Sequence, residues 1–232
     1  MNTDFSNPVQ RRAFLKGAGS AFLAAVAALG LQGCGDNTND SVFTSTGGSQ
    51  NNPNGGGGAP LTLSGVTFRG TVSLDDFGGI STPNVQTVHQ MLGPVDSGGD
   101  FNSTASGVTP QLVFFGSGNG GQLNSPRGLS IFLPGLTEMN IDARSTAIAF
   151  VFIAPGVMDL NPQRSQAAMS GIPNLQTFPA WLSYLRGQLP SRPLLELIAE
   201  EEFQRLLSAC IEEWTQLQAL ARVVQSADSL FT

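Results

Sequence analysis

The spacing of apolar side chains changes its period once along this chain. In Val66-Thr67-Phe68-Arg69-Gly70-Thr71-Val72-Ser73-Leu74 every second residue is apolar, while Phe203, Leu206, Leu207, Cys210, Ile211, Trp214, Leu217, Leu220, Ala221 and Val224 recur mostly at steps of three and four. A period of two puts alternate side chains on the buried face of a strand, and steps of three and four lay one stripe along a helix. The chain is therefore expected to be α+β, with a small antiparallel β-sandwich followed by an α-helical C-terminal region.

Further short apolar runs at Val85 to Leu92, Gln111 to Phe115, Leu129 to Leu133 and Met139 to Ile141 are separated by Gly, Ser, Asn or Pro clusters. They predict the other strands, and Asp75-Asp76-Phe77-Gly78-Gly79 predicts a turn. Arg69-Gly70-Thr71-Val72, Pro83-Asn84-Val85-Gln86-Thr87-Val88 and Asp96-Ser97-Gly98-Gly99-Asp100-Phe101 resemble successive signatures of the carboxypeptidase regulatory-like domain, a transthyretin-like sandwich. In such a hairpin Gly98 and Gly99 can supply a positive φ, and Phe101 can point into the core. The resemblance covers about fifty residues and implies a binding or spacer module without catalysis of its own.

Ala147 to Ala154 is apolar throughout, so periodicity does not separate buried helix from buried strand. Ser145 as N-cap, Ala147 and Ala149 within, and Pro155 as a stop favour helix, whereas Phe, Val and Ile favour strand. Helix is the reading adopted. Asn161-Pro162 predicts a helix to about Met169, and a second is expected from near Pro179, with Trp181, Leu182 and Leu185 inward and Gly187 at its end. Glu200, Glu201 and Glu202 stand near the start of the long stripe, where acids complement the helix dipole. That stripe must lie against something, and packing within the domain is expected ahead of packing on a partner. Sandwich, apolar run and helical tail in this order are similar to a group of bacterial surface lipoproteins, which implies location and not activity.

The first 33 residues have a different task. Arg11, Arg12 and Lys16 precede an apolar or small-residue run from Gly17 to Leu31, which has the order of a secretory signal. The run is short for a membrane span, which takes about 20 apolar residues. Arg11-Arg12-Ala13-Phe14-Leu15-Lys16 resembles the twin-arginine export motif, and Leu31-Gln32-Gly33-Cys34 resembles a bacterial lipobox. The resemblance implies cleavage before Cys34, a diacylglycerol on its thiol, and partnership with the export machinery and a membrane. An ordinary cleaved signal with an incidental cysteine, or an uncleaved anchor, are the alternatives. Residues 34–60 then form a polar, Gly- and Asn-rich linker whose only sizeable apolar side chains are Val42 and Phe43. Such a linker is expected to be disordered, with a reach of about 25 to 30 Å. The sandwich is expected over 61–143 and the helical region over 144–232.

Without the signal, eight arginines and no lysine face sixteen acids. Nucleic acid and anionic lipid head groups need clustered positive charge, so neither is an expected partner. Membrane contact would come from acyl chains, at about 0.8 kcal/mol per buried methylene. A chain without lysine also cannot form the Lys–Asn isopeptide bonds that lock some surface sandwiches. With Cys34 acylated, Cys210 has no partner in the chain, and its apolar helical surroundings suit a small buried hydrophobe.

One histidine, His89, is too few for a His-based zinc site and would have to carry any Ser-His-Asp arrangement alone. It is expected at a strand surface or edge. Asp75-Asp76 and Asp96/Asp100 could hold calcium weakly, but they lack calcium-loop spacing and suit turns that bond their own backbone. Gly116-Ser117-Gly118-Asn119-Gly120-Gly121 is not followed by a helix start, so it predicts a hairpin loop and no phosphate cradle. No catalytic, cofactor-binding or metal residue is assigned and no cofactor is expected. Two functions remain: a non-enzymatic binding or structural module of the cell envelope, with a surface protein or glycan as possible ligand, and a carboxylate-dependent envelope hydrolase.

Overall fold

The computed structural model describes residues 65–87, 93–119, 122–154 and 161–228. The export motif at Arg11, Arg12, Phe14, Leu15 and Lys16, Cys34 with the linker, His89 and Pro155 lie outside the described residues.

Among the described residues seven strands form two sheets. β1 (Gly65–Val72), β4 (Asp100–Ser106) and β7 (Glu138–Ile141) make one, in the order β4-β1-β7. β2 (Pro83–Thr87), β3 (Gly93–Pro94), β5 (Gln111–Asn119) and β6 (Gln122–Phe132) make the other, in the order β3-β2-β5-β6. Among the described residues five α-helices follow: α1 (Ala143–Ile153), α2 (Pro162–Gly171), α3 (Phe178–Gln188), α4 (Leu194–Ile198) and α5 (Glu201–Asp228). This is the α+β arrangement expected, a sandwich and then helices. One pair departs from the antiparallel expectation, since β7 runs parallel to β1. The intervening strands and loops supply the long crossover that a parallel pair requires.

Aromatic rings join the sheets. Phe68 of β1 stacks on Phe132 of β6 with centroids 4.3 Å apart, and Phe101 of β4 meets Phe68 edge-on at 6.1 Å. β1 and β4 pair so that Gly70 faces Phe101. The ring covers the glycine so closely that a Cβ there would come within 2.1 Å of it. The Gly of the first motif and the Phe of the hairpin motif thus fit one another. In the hairpin only Gly99 of the two adjacent glycines takes positive φ, at 92°, while Asp96 Oδ1 accepts the N–H groups of Gly98 and Asp100.

The expected turn at Asp75 to Gly79 is instead a 3-10 turn over Leu74–Phe77, followed by Gly78 at φ 67°. Phe77 is fully buried, 5.1 Å from Phe115, so core packing tightens a segment whose polar neighbours suggest a simple loop. The glycine-rich stretch from Gly116 belongs largely to the β5–β6 hairpin, because pairing continues to Asn119 and Gln122. Phe115 faces Gly128 and Gly116 faces Pro126, which leaves Arg127 as an extra residue in a bulge. A bulge is where a strand tolerates proline, since Pro126 has no N–H to give the ladder.

The apolar run at Ala147 to Ala154 is helical. Its helix starts earlier than Ser145: Asp142 is the N-cap, its carboxylate accepts the Ser145 N–H, and the Ser145 hydroxyl accepts the Asp142 N–H. This reciprocal capping box outcompetes a cap at Ser145 because it satisfies two backbone donors at once. Asp76 accepts the Ala143 N–H at 2.9 Å, so a third donor is closed from the sandwich side. α1 is buried on most of its faces because it lies between β6 and the helices α3 and α5. Its Thr146 Oγ1 accepts the Leu129 N–H at 3.1 Å, on the edge strand β6, and its Ala147 carbonyl accepts the Trp181 indole N–H at 3.1 Å.

α2 starts as expected, with Asn161 as N-cap and Pro162 in the first turn. α3 does not end at Gly187, which lies within its last turn; the cap is Leu189, whose N–H returns to Leu185. α4 has no long periodic pattern to announce it, yet Leu194, Leu197 and Ile198 are all buried. Along α5 the stripe is covered by the domain at Phe203, Leu206, Cys210 and Trp214, whereas Leu217 is 47% exposed.

Candidate functional site

Three of the acids considered for a calcium site serve the fold. Asp96 closes the hairpin, Asp76 caps α1, and Asp100 accepts the Thr71 hydroxyl at 3.1 Å. Asp75 and Asp96 do share a surface depression of about 440 Å³, floored by Leu74, Gly78 and Ile80. Among the described residues, no group of three or more His, Cys, Asp or Glu side chains is placed to hold a metal.

The strongest polar groupings lie in the helical region. Glu213 of α5 reaches the N-terminus of α3, where it accepts the Gln176 N–H at 2.7 Å, the Thr177 N–H at 2.9 Å and the Thr177 hydroxyl at 2.7 Å. Thr177, the N-cap residue, makes no side-chain cap of its own, so a carboxylate 36 residues away replaces it. Burial pushes the Glu213 carboxyl up, but its three hydrogen bonds outweigh this and hold it below the usual range.

Glu200 accepts the Tyr184 hydroxyl at 2.6 Å and pairs with Arg192, which also lies 3.6 Å from Glu196. The Tyr184 hydrogen bond, followed by Arg192, holds Glu200 below the usual carboxylate range. Burial, reinforced by the bond to Glu200, pushes the Tyr184 phenol up. Glu202 is likewise lowered by its hydrogen bonds to Arg205. These carboxylates stay ionised at neutral pH, which is opposite to what a general acid needs.

Arg127 binds the last turn of α3 through a 3.2 Å hydrogen bond to the Leu189 carbonyl, a cation at a helix C-terminus. The bulge in β6 supplies this arginine, and no local pattern in the sequence singles it out. Cys210 is buried as expected of a small hydrophobe, and burial pushes its thiol up, away from the reactive thiolate.

A second depression, of about 390 Å³, opens between the β6–β7 turn, α1 and α2. Leu133, Leu136, Ile148 and Met169 supply its aliphatic walls, with Gln166, Asn174 and Arg144 among its polar residues. Arg144 and Ile148 stand one helical turn apart on the same face of α1. The Arg144 guanidinium lies 6.0 Å from the Phe178 ring. None of these residues was singled out by sequence motif, because the groove joins the β6–β7 turn, α1, α2 and the 3-10 turn Ile172–Asn174, which share no pattern. Among the described residues, no helix is long and apolar enough to cross a membrane. No family model, no curated protein and no solved structure matches this chain.

Proposed function

We propose that the chain is an exported cell-envelope lipoprotein, anchored through Cys34, whose folded part is a non-enzymatic binding or structural module. The observation that carries this reading is the order Arg11-Arg12, apolar run, Cys34, polar linker, folded region. The module half is supported by how the charged side chains are employed. Asp76, Asp142 and Glu213 serve helix N-termini, Arg127 serves a helix C-terminus, and Glu200 is held by Tyr184 and Arg192.

Mass spectrometry of the mature N-terminus tests the anchor, and an acylated Cys34 is the expected first residue. Cys34→Ala is expected to move the chain from the membrane to the soluble fraction with its fold intact. A Cys34→Ala chain that loses its signal and still sediments with membranes overturns the anchoring claim. The hydrolase reading retains one observation in its favour, the shared depression of Asp75 and Asp96. It requires turnover of an envelope substrate that Asp75→Asn abolishes.

A further inference from the structure

We propose that the groove between the β6–β7 turn, α1 and α2 binds the carboxyl-terminal end of an apolar peptide, with Arg144 taking the terminal carboxylate. The inference deepens the binding-module reading given above and rests on it.

Charge selects the anionic group. Arg144 is exposed at the groove, in the first turn of α1, a position where the helix dipole disfavours a cation. Among the described residues no carboxylate compensates for it: the three ion pairs involve Arg192 and Arg205, and the Arg144 side chain makes neither a hydrogen bond nor an ion pair with any of them. Among the described residues its guanidinium meets the face of Phe178, which positions it without using its hydrogen-bond donors. A planar fork of free donors beside an apolar surface matches a carboxylate joined to an apolar body.

Shape selects the peptide. Binding sites for compact small molecules are enclosed and bury most of the ligand, whereas this depression is shallow and open to solvent. Its walls are aliphatic, from Leu133, Leu136, Ile148 and Met169, and lack the aromatic platform on which a sugar ring stacks. Gln166 and Asn174, which also line it, offer amides to a peptide main chain. A groove of about 390 Å³ has room for only a few residues, so the peptide's end is read and not its length.

The test uses the full chain carrying Cys34→Ala, titrated with acetyl-Leu-Val-Leu as free acid and as C-terminal amide, and followed by methyl resonances of methionine. The acid is expected to shift Met169, which lines the groove, and to leave Met139, buried in β7, unmoved. The acid should bind more tightly than the amide, by up to about fivefold, the most that a solvent-exposed charge pair supplies. Arg144→Gln should abolish that preference, Arg144→Lys should keep part of it, and Arg164→Gln, on the exposed side of α2, should leave it intact. Equal binding of acid and amide, an unchanged preference in Arg144→Gln, or no response of Met169 at millimolar peptide overturns the proposal. Since the titration is independent of where the chain resides, its failure leaves export and anchoring standing, and their failure leaves the titration standing.

Discussion

Phe68 stacked on Phe132 and Glu213 clamped on Gln176 and Thr177 both join segments far apart in sequence, by opposite means. The sandwich is held chiefly by rings and close-packed glycines, while Asp96 closes its own hairpin, Asp100 holds Thr71 and Asp76 reaches the start of α1. In the helical region an aromatic cluster is present too, with Phe203 lying 4.8 Å from Trp181 and 5.1 Å from Phe150, but ion pairs and a carboxylate cap add to it. All three ion pairs among the described residues fall between Arg192 and Arg205. Acid should therefore act first on the helices, while loss of ring volume should act on both regions alike.

Ring removal gives the largest expected effect. Phe68→Ala and Phe203→Ala should each cost about 3 to 5 kcal/mol, as for other buried aromatics. α1 lies on β6, Asp76 caps α1 and Arg127 holds the end of α3, so both variants should lower one shared unfolding midpoint. Following Trp181 fluorescence and sandwich amide exchange through thermal unfolding would check this. Two separate midpoints in Phe68→Ala would mean that the regions fold independently.

Glu213→Gln is expected to have an intermediate effect. An amide cannot replace all three acceptor contacts, and the partly buried Thr177 donors left over should cost about 1 kcal/mol near neutral pH. The Glu213 carboxyl is depressed below its unfolded value of 4.5, so its contribution is present above that pH and lost as pH falls through the folded value. Denaturant titrations of the two proteins should accordingly converge at acid pH, while Phe68→Ala stays displaced throughout. A constant gap between parent and Glu213→Gln across the acid range would show that the clamp is not electrostatic.

How much of this was legible in the sequence follows the same division. β1, the Asp96 hairpin and the stripe through Phe203, Leu206, Cys210 and Trp214 were legible because each depends on neighbours two to four residues away. The helix at Ala147 was legible from Ser145 as cap, two alanines and Pro155 as stop, whereas its true N-cap, Asp142, lies three residues earlier and shows only in the reciprocal bonds with Ser145. Phe77 escaped because burial, not local propensity, fixes it, and Gly187 misled because a glycine within a last turn and one after it look alike in sequence. Glu213, Arg127 and the Arg144 groove depend on separations that only the folded chain reveals. The candidate site was therefore far less legible than the fold.

The smallest expected effect sharpens the point about Gly187. Because the space around a Cβ there is empty and its φ is not positive, Gly187→Ala should stabilise α3 by about 0.5 to 1 kcal/mol, seen as a raised thermal midpoint. Loss of stability would restore Gly187 to the terminating role that its type suggests.

The hydrogen bond from Leu129 to Thr146 also bears on how the chain survives its own synthesis. β6 is an edge strand, and an edge with unsatisfied N–H groups is a template for pairing with another chain. Thr146 lies 17 residues later, so at ribosomal speeds of about 5 to 20 residues per second it emerges roughly one to three seconds after the donor it will occupy. Until then a nascent sandwich carries an adhesive border, and a chain interrupted between these two residues would keep that border permanently.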